Sequence, residues 1–236
     1  MDGPYLLLWL EAPLQSWGHD SRFGRRESLD FPTKSGVLGL ICCAMGAAGE
    51  QIEWLRRWAD RDMQVIAYTP KDRRGKARQR LPLLEDFQMV GSGYDDLDPW
   101  ANLLIPKTSE GGKAVGGGTK LTYRYYLQDM AYAVAMYGPR EELETLAQSL
   151  ANPVWDLYLG RKSCVPTELI LQGVHADVSQ ALAKADQLAE EKTKCVAFRV
   201  LQGEDEGEVL SLNDVPLQFG QFKKYRNRRV TIQQVE

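Results

Sequence analysis

Histidine is almost absent: His19 and His175 are the only two in 236 residues and lie far apart along the chain. With no H-E-x-x-H run and no clustered ligand spacing, a metal enzyme is not expected, nor is any cofactor. Cysteine is scarce as well. Its four copies, Cys42, Cys43, Cys164 and Cys195, form no C-x-x-C pair, and an adjacent pair in an apolar run suits neither a disulfide nor a zinc site. They read as buried free thiols in a reducing cytoplasm. Long apolar runs are missing too. Tyr5–Leu10 is shorter than a signal-peptide core and has no basic residue before it, while Val37–Gly49 falls short of the roughly 18 residues of a membrane span and contains three glycines. No membrane partner is expected. Charge of one sign is the last absence: 29 basic against 32 acidic residues leave −3, so the chain is no polycation and any nucleic-acid surface must be local.

What is present is ordinary globular material, 44% hydrophobic and 26% charged, enough for one large domain or one domain with a small appendage. Tyr5–Glu11 has strand composition, and Ser35–Met45 predicts a buried helix behind a Thr33/Ser35 cap signal. A second helix is expected over about Glu50–Arg61, followed by a strand at Gln64–Thr69. Leu127–Tyr137 then reads as one strand, Gly138-Pro139 opens a helix, and Val154–Leu159 is a further strand candidate. Two β-α-β halves predict an α+β, ferredoxin-like sheet with both helices on one face and the other face free for a ligand. Beyond Gly173 come a helix over about Val178–Lys192 and strands at Cys195–Leu201, Glu208–Leu212 and Val230–Val235, expected as a smaller C-terminal subdomain over residues 174–236. Between the halves lies an irregular segment, about Pro70 to Tyr123, of a length that in a compact domain is functional or mobile.

Charge is segregated along the chain. Lys71–Arg80 holds six basic residues against Asp72, and Lys223–Arg229 holds five with no acid. Either run suits phosphate contact, and either equally suits a solvated loop. Tyr123-Arg124-Tyr125-Tyr126 interleaves a cation with aromatics, which marks Arg124 and Tyr125 for base stacking beside phosphate contacts, although a half-buried strand has the same pattern. Thr33-Lys34-Ser35-Gly36 lacks the glycines of a phosphate-binding P-loop, yet a turn that opens a helix offers backbone N–H groups to one phosphate.

Three runs read together carry a resemblance: Ala12-Pro13-Leu14-Gln15-Ser16-Trp17-Gly18, Phe31-Pro32-Thr33-Lys34-Ser35-Gly36-Val37-Leu38-Gly39-Leu40-Ile41, and Tyr158-Leu159-Gly160-Arg161-Lys162-Ser163-Cys164-Val165-Pro166. Their order and content resemble the CasD family of the RAMP superfamily, over roughly Tyr5 to Gly173. The resemblance implies a ferredoxin-like palm over residues 1–173 with a thumb-like insertion at about 70–123. It further implies a cytoplasmic, non-catalytic subunit of a type I-E CRISPR Cascade complex, which caps the 5′ handle of CRISPR RNA in antiviral defence. The implied partners are that RNA, the backbone subunit CasC, the large subunit CasA and, through the complex, target DNA. The implied RNA-binding residues are Gln15, Trp17, Arg22, Lys34, Ser35, Arg161, Lys162 and Ser163. A sister branch of the family cleaves precursor RNA without metal, so a metal-independent CRISPR repeat endoribonuclease built around His19 is the alternative.

Overall fold

The computed structural model describes residues 3–19, 24–91, 93–95, 97–112 and 118–235. In chain order the elements are β1 (Tyr5–Glu11), β2 (Leu14–Gln15), β3 (Arg25–Arg26), α1 (Lys34–Met45), α2 (Ile52–Trp58), β4 (Met63–Pro70), β5 (Leu84–Val90), α3 (Pro99–Leu103), β6 (Lys120–Gln128), β7 (Ala131–Tyr137), α4 (Arg140–Ala151), β8 (Leu171–His175), α5 (Val178–Glu191), β9 (Lys194–Gln202), β10 (Glu208–Gln218) and β11 (Lys224–Gln234). The architecture is α+β. One seven-stranded sheet runs in the order β10-β11-β9-β4-β7-β1-β8, antiparallel at every pairing.

β1 shows why the centre of this sheet has no wet face. Its alternating side chains divide between two cores: Leu6, Leu8 and Leu10 pack with α1 and α4, whereas Tyr5, Leu7 and Trp9 pack on the opposite side. That opposite side was expected to be free for a ligand, and α5 covers it. Ala181, Ala185 and Ala189 recur every fourth residue on α5 and lie with Ala131, Ala133 and Ala135 of β7, so small residues on both partners let the helix lie close to the sheet. The C-terminal strands correct a second expectation. Residues 174–236 do not form a separate subdomain: β9 pairs with β4 and extends the same sheet, and β10 reaches both α1 and α2.

Two local readings also change. Leu127–Tyr137 is broken by Asp129, whose left-handed φ of 52° turns the chain between β6 and β7. Val154–Leu159 is a loop; the strand that completes the second β-α-β is β8, because the 152–170 segment is spent on contacts with the first half of the chain. The described residues of the 70–123 segment include paired strands. β5 pairs along β6 from Leu84↔Tyr126 to Val90↔Lys120, giving a two-stranded arm, while β2 and β3 take the other edge of β6. No helix among the described residues is long and apolar enough to cross a membrane.

The alanine contact between α5 and β7 leaves no room for a larger side chain. Ala185→Leu is expected to lower stability by about 1–3 kcal/mol through overpacking, read as a lower urea midpoint with an unchanged denaturant slope.

Candidate nucleic-acid interface

The three sequence runs come together in space, and most of their residues lock the fold. Gln15 is fully buried, donating from Nε2 to the carbonyls of Leu10 (3.2 Å) and Met130 (2.7 Å) while Oε1 accepts from Trp17 Nε1. Trp17 is equally buried, its ring lying so near Gly36 that a Cβ there would sit 2.8 Å from the indole. The first run joins the third where Ser16 N–H donates to Leu159 O (3.1 Å) and Gly160 stacks on the Ser16 carbonyl. Gly160 has φ of 94°, and a Cβ would lie 1.6 Å from that oxygen, so no other residue fits. Gln15 and Trp17, expected to touch RNA, are therefore structural: a glutamine and an indole so enclosed serve the backbone and ring beside them.

Lys34 is corrected for the same reason. Its ammonium was expected to face a phosphate, but the residue is 1% exposed and Nζ donates to the carbonyls of Ala59 (2.8 Å) and Arg61 (2.6 Å) at the end of α2. The helix start is also spoken for. Lys34 N–H donates to Asp214 Oδ2 (2.7 Å) and Gly36 N–H to Thr33 Oγ1 (3.1 Å), so the protein supplies its own anion to the positive end of α1. Asp214 in turn accepts a two-pronged bond from Arg228, at 2.7 and 2.9 Å, with both side chains almost wholly enclosed. Burial, and then the neighbouring Arg228, pull the Lys34 ammonium down to about 8.

The remaining candidates lie at or near a surface. β3 runs parallel to β6 with Arg26 opposite Arg124, and Arg161 stacks its guanidinium 4.6 Å from the centre of the Tyr126 ring while Nη2 donates to Arg26 O (2.7 Å). Residues 124 and 126 share one face of β6 by strand alternation, so Arg26, Arg124 and Arg161 form a strip that continues into exposed Lys162 and Ser163. Asp86 stands across from Arg124 on β5 and is the acid nearest this strip in the register. Among the described residues, Arg161 Nη1 is enclosed and has no acceptor. Tyr125 faces the other side of β6, where its hydroxyl donates to Glu85 Oε2 (2.6 Å) and accepts from Arg25; the bond to Glu85 holds the phenol above its usual range. Tyr125 is thus tied into the arm. Arg22 lies outside the described residues. His19 follows the Gln15–Gly18 loop and His175 ends β8, where Nε2 lies 3.3 Å from Gln172 O.

Beside this strip, across the Ser16–Gly160 ridge, a cleft of about 400 Å³ opens between the start of α1, the 155–160 loop and the turn before β11. Its lining includes Ser35, Gly36 and Gly39 of α1 together with Trp155, Tyr158, Lys223 and Tyr225. Ser35 is thereby placed in the cleft, whereas the aromatic lining had no signal in the sequence beyond the tyrosine within Lys223–Arg229 and the one that opens the third run.

Residues 5–231 match a family described as CRISPR-associated protein (Cas_Cas5). A curated relative, CRISPR system Cascade subunit CasD of Escherichia coli (strain K12), is 27% identical over 172 residues, 72% of this chain and 70% of that protein. A solved structure titled CRISPR RNA-guided surveillance complex contains a chain 30% identical to this one, with a TM-score of 0.73 over 98% of this chain and 90% of that chain. Another, titled Crystal structure of Cas protein, is 26% identical with a TM-score of 0.58, covering 98% and 94% of the two chains.

Two outcomes test the buried network. Asp214→Ala should cost about 3–5 kcal/mol in chemical denaturation, because it strands the Arg228 charge and the helix start together. Lys34 binds its proton less tightly folded than unfolded, so its burial penalty is fully present below about pH 8 and is relieved as pH rises toward 10.5. Compared with Lys34→Met, wild type should therefore gain stability between pH 8 and 10, measured by urea unfolding of both proteins at each pH.

Proposed function

Since the chain belongs to the Cas5 family of CRISPR-associated proteins, we propose that it is an RNA-binding, non-catalytic subunit of a Cascade complex that caps the 5′ handle of CRISPR RNA. The observation that carries this reading is the strip Arg26–Arg124–Arg161–Lys162 on a chain whose net charge is −3. A guanidinium held flat on Tyr126, with one of its nitrogens anchored on a carbonyl, is preorganised for a phosphate oxygen and loses little entropy on binding. Ser163 beside it adds a hydroxyl donor.

In this reading β8-β1-β7-β4 with α1 and α4 is the ferredoxin-like palm, and the 70–123 arm is the thumb. The arm exposes Phe87, Met89, Leu97, Trp100, Leu103 and Leu104, with Leu97 94% and Trp100 79% accessible. A patch of that size on a lone chain fits a surface buried in an assembly, which supports docking on the backbone subunit CasC and the large subunit CasA. Target DNA is then reached through the complex. His19 and His175 sit on different elements, and neither belongs to the cationic strip, which is why binding is preferred over cleavage.

Arg161→Ala with Lys162→Ala should weaken binding of labelled handle RNA by about ten- to a few hundred-fold, since each charged contact contributes about 1–2 kcal/mol. The salt dependence should become shallower by about two phosphates. Lys184→Ala on α5 should leave affinity unchanged, and the RNA should be recovered uncut in magnesium and in EDTA. Wild-type affinity in the double variant would overturn the strip as the binding site.

A further inference from the structure

Among the described residues, β5 pairs with β6 and with no other strand, so one of its sides is a sheet edge. Which of its backbone groups face outward follows from the far side of β6. There Tyr123 N–H donates to Gly24 O (2.8 Å) and Tyr125 O accepts from Ser16 Oγ (3.1 Å), so residues 123 and 125 turn their backbone groups toward β3 and β2. Opposed residues of an antiparallel pair exchange both bonds or neither. Phe87, opposite Tyr123, and Glu85, opposite Tyr125, therefore direct N–H and C=O away from β6, and alternation adds Met89. These three positions present a ladder of donors and acceptors on which a further strand can pair. The devices that blunt such an edge are missing from β5: Leu84–Val90 holds no proline and no lysine, and its register with β6 runs without a bulge. By contrast β10, at the edge of the large sheet, carries Pro216 and two register shifts.

Side chains specify the occupant. Phe87 and Met89 share a face of the arm with Leu121 and Tyr123, all four are exposed, and the Phe87 and Tyr123 rings lie 5.2 Å apart. The other face of β5 carries Asp86 and Gln88. From Leu81 to Pro106 the chain has five acids and neither lysine nor arginine. A phosphate backbone is repelled there, and a second copy of this chain would set the same acids against themselves. We infer that the free edge of β5 takes an extended strand of a neighbouring protein subunit, one that alternates apolar residues, laid against Phe87 and Met89, with basic residues beside Asp86. The inference rests on the reading of this chain as a Cascade subunit and adds to the apolar patch a backbone mode of recognition. Main-chain bonds supply its affinity, and the alternating side chains supply its selectivity.

Residue-resolved hydrogen exchange tests the edge, on the free chain and on the ribonucleoprotein reconstituted with CRISPR RNA and the other subunits. In the free chain the amides of Asp86 and Gln88, bonded to β6, should be protected, and those of Phe87 and Met89 should exchange fast. In the assembly Phe87 and Met89 should slow by at least about tenfold. Variants separate backbone from side chain. Phe87→Ala removes the ring, and Phe87→Pro removes the ring and the outward N–H while sparing the bonds to β6. Phe87→Pro should therefore join the assembly about tenfold more weakly than Phe87→Ala. Should Phe87→Pro unfold the arm, seen as lost protection at Asp86 and Gln88, the wild-type exchange pattern decides by itself. If wild type assembles and Phe87 and Met89 stay fast, the strand pairing is overturned while the Cascade reading stands. Equal affinity of an intact Phe87→Pro and Phe87→Ala overturns it as well. Protection by RNA alone, or by self-association of the free chain, overturns the neighbouring subunit as occupant. If wild type enters no ribonucleoprotein, the Cascade reading falls, and the strand partner with it.

Discussion

A carboxylate at the start of the first helix holds this structure together. Asp214 arrives from β10, 180 residues after Lys34, and places its oxygens where α1 presents unpaired N–H groups and positive dipole. Alone it would be a buried charge, which is unfavourable; Arg228 from β11 neutralises it, and Lys34 sends its own charge the other way, to carbonyls at the end of α2. Four elements, α1, α2, β10 and β11, are thereby bound by one network. Its consequence for function is exclusion. A helix N-terminus that would suit a phosphate is filled by the protein itself.

The sequence runs that carried the family resemblance divide along the same line. Gln15, Trp17, Gly36 and Gly160 are needed because the backbone passes through places where only those shapes fit: an amide bridging two carbonyls, an indole on a glycine, a left-handed glycine on the Ser16 oxygen. Arg161, Lys162 and Ser163 belong to the same run as Gly160 yet face the surface. A run can be diagnostic of a fold and still mix residues that shape the site with residues that touch the ligand.

Much of the fold was legible because its signals were local. β1 matches the expected Tyr5–Glu11, α1 follows its cap at Thr33, α5 covers the expected Val178–Lys192 stretch, and β4 follows its apolar run. What was not legible depended on distant partners. The alanines of β7 and α5 read as neutral composition, and only their meeting shows that the second face of the sheet is covered. Lys34 looked like an exposed cation at a helix start because nothing in its own run announces Asp214. Gln15, Trp17 and Lys34 are buried whereas Ser35, Arg124 and Arg161 are partly exposed, a difference that spacing does not report.

Charge makes the last step. The two basic runs that stood out along the chain are partly spent on neighbours: in the first Lys71 pairs with Glu190 and Arg80 with Asp30, while in the second Arg226, Arg228 and Arg229 pair with Asp60, Asp214 and Glu204. Cations paired with carboxylates contribute little net field to an approaching phosphate. Lys223 of the second run lines the cleft instead. On a chain of slight negative net charge, the field offered to an approaching anion at any one place is set by the charge left over after folding has paired the rest.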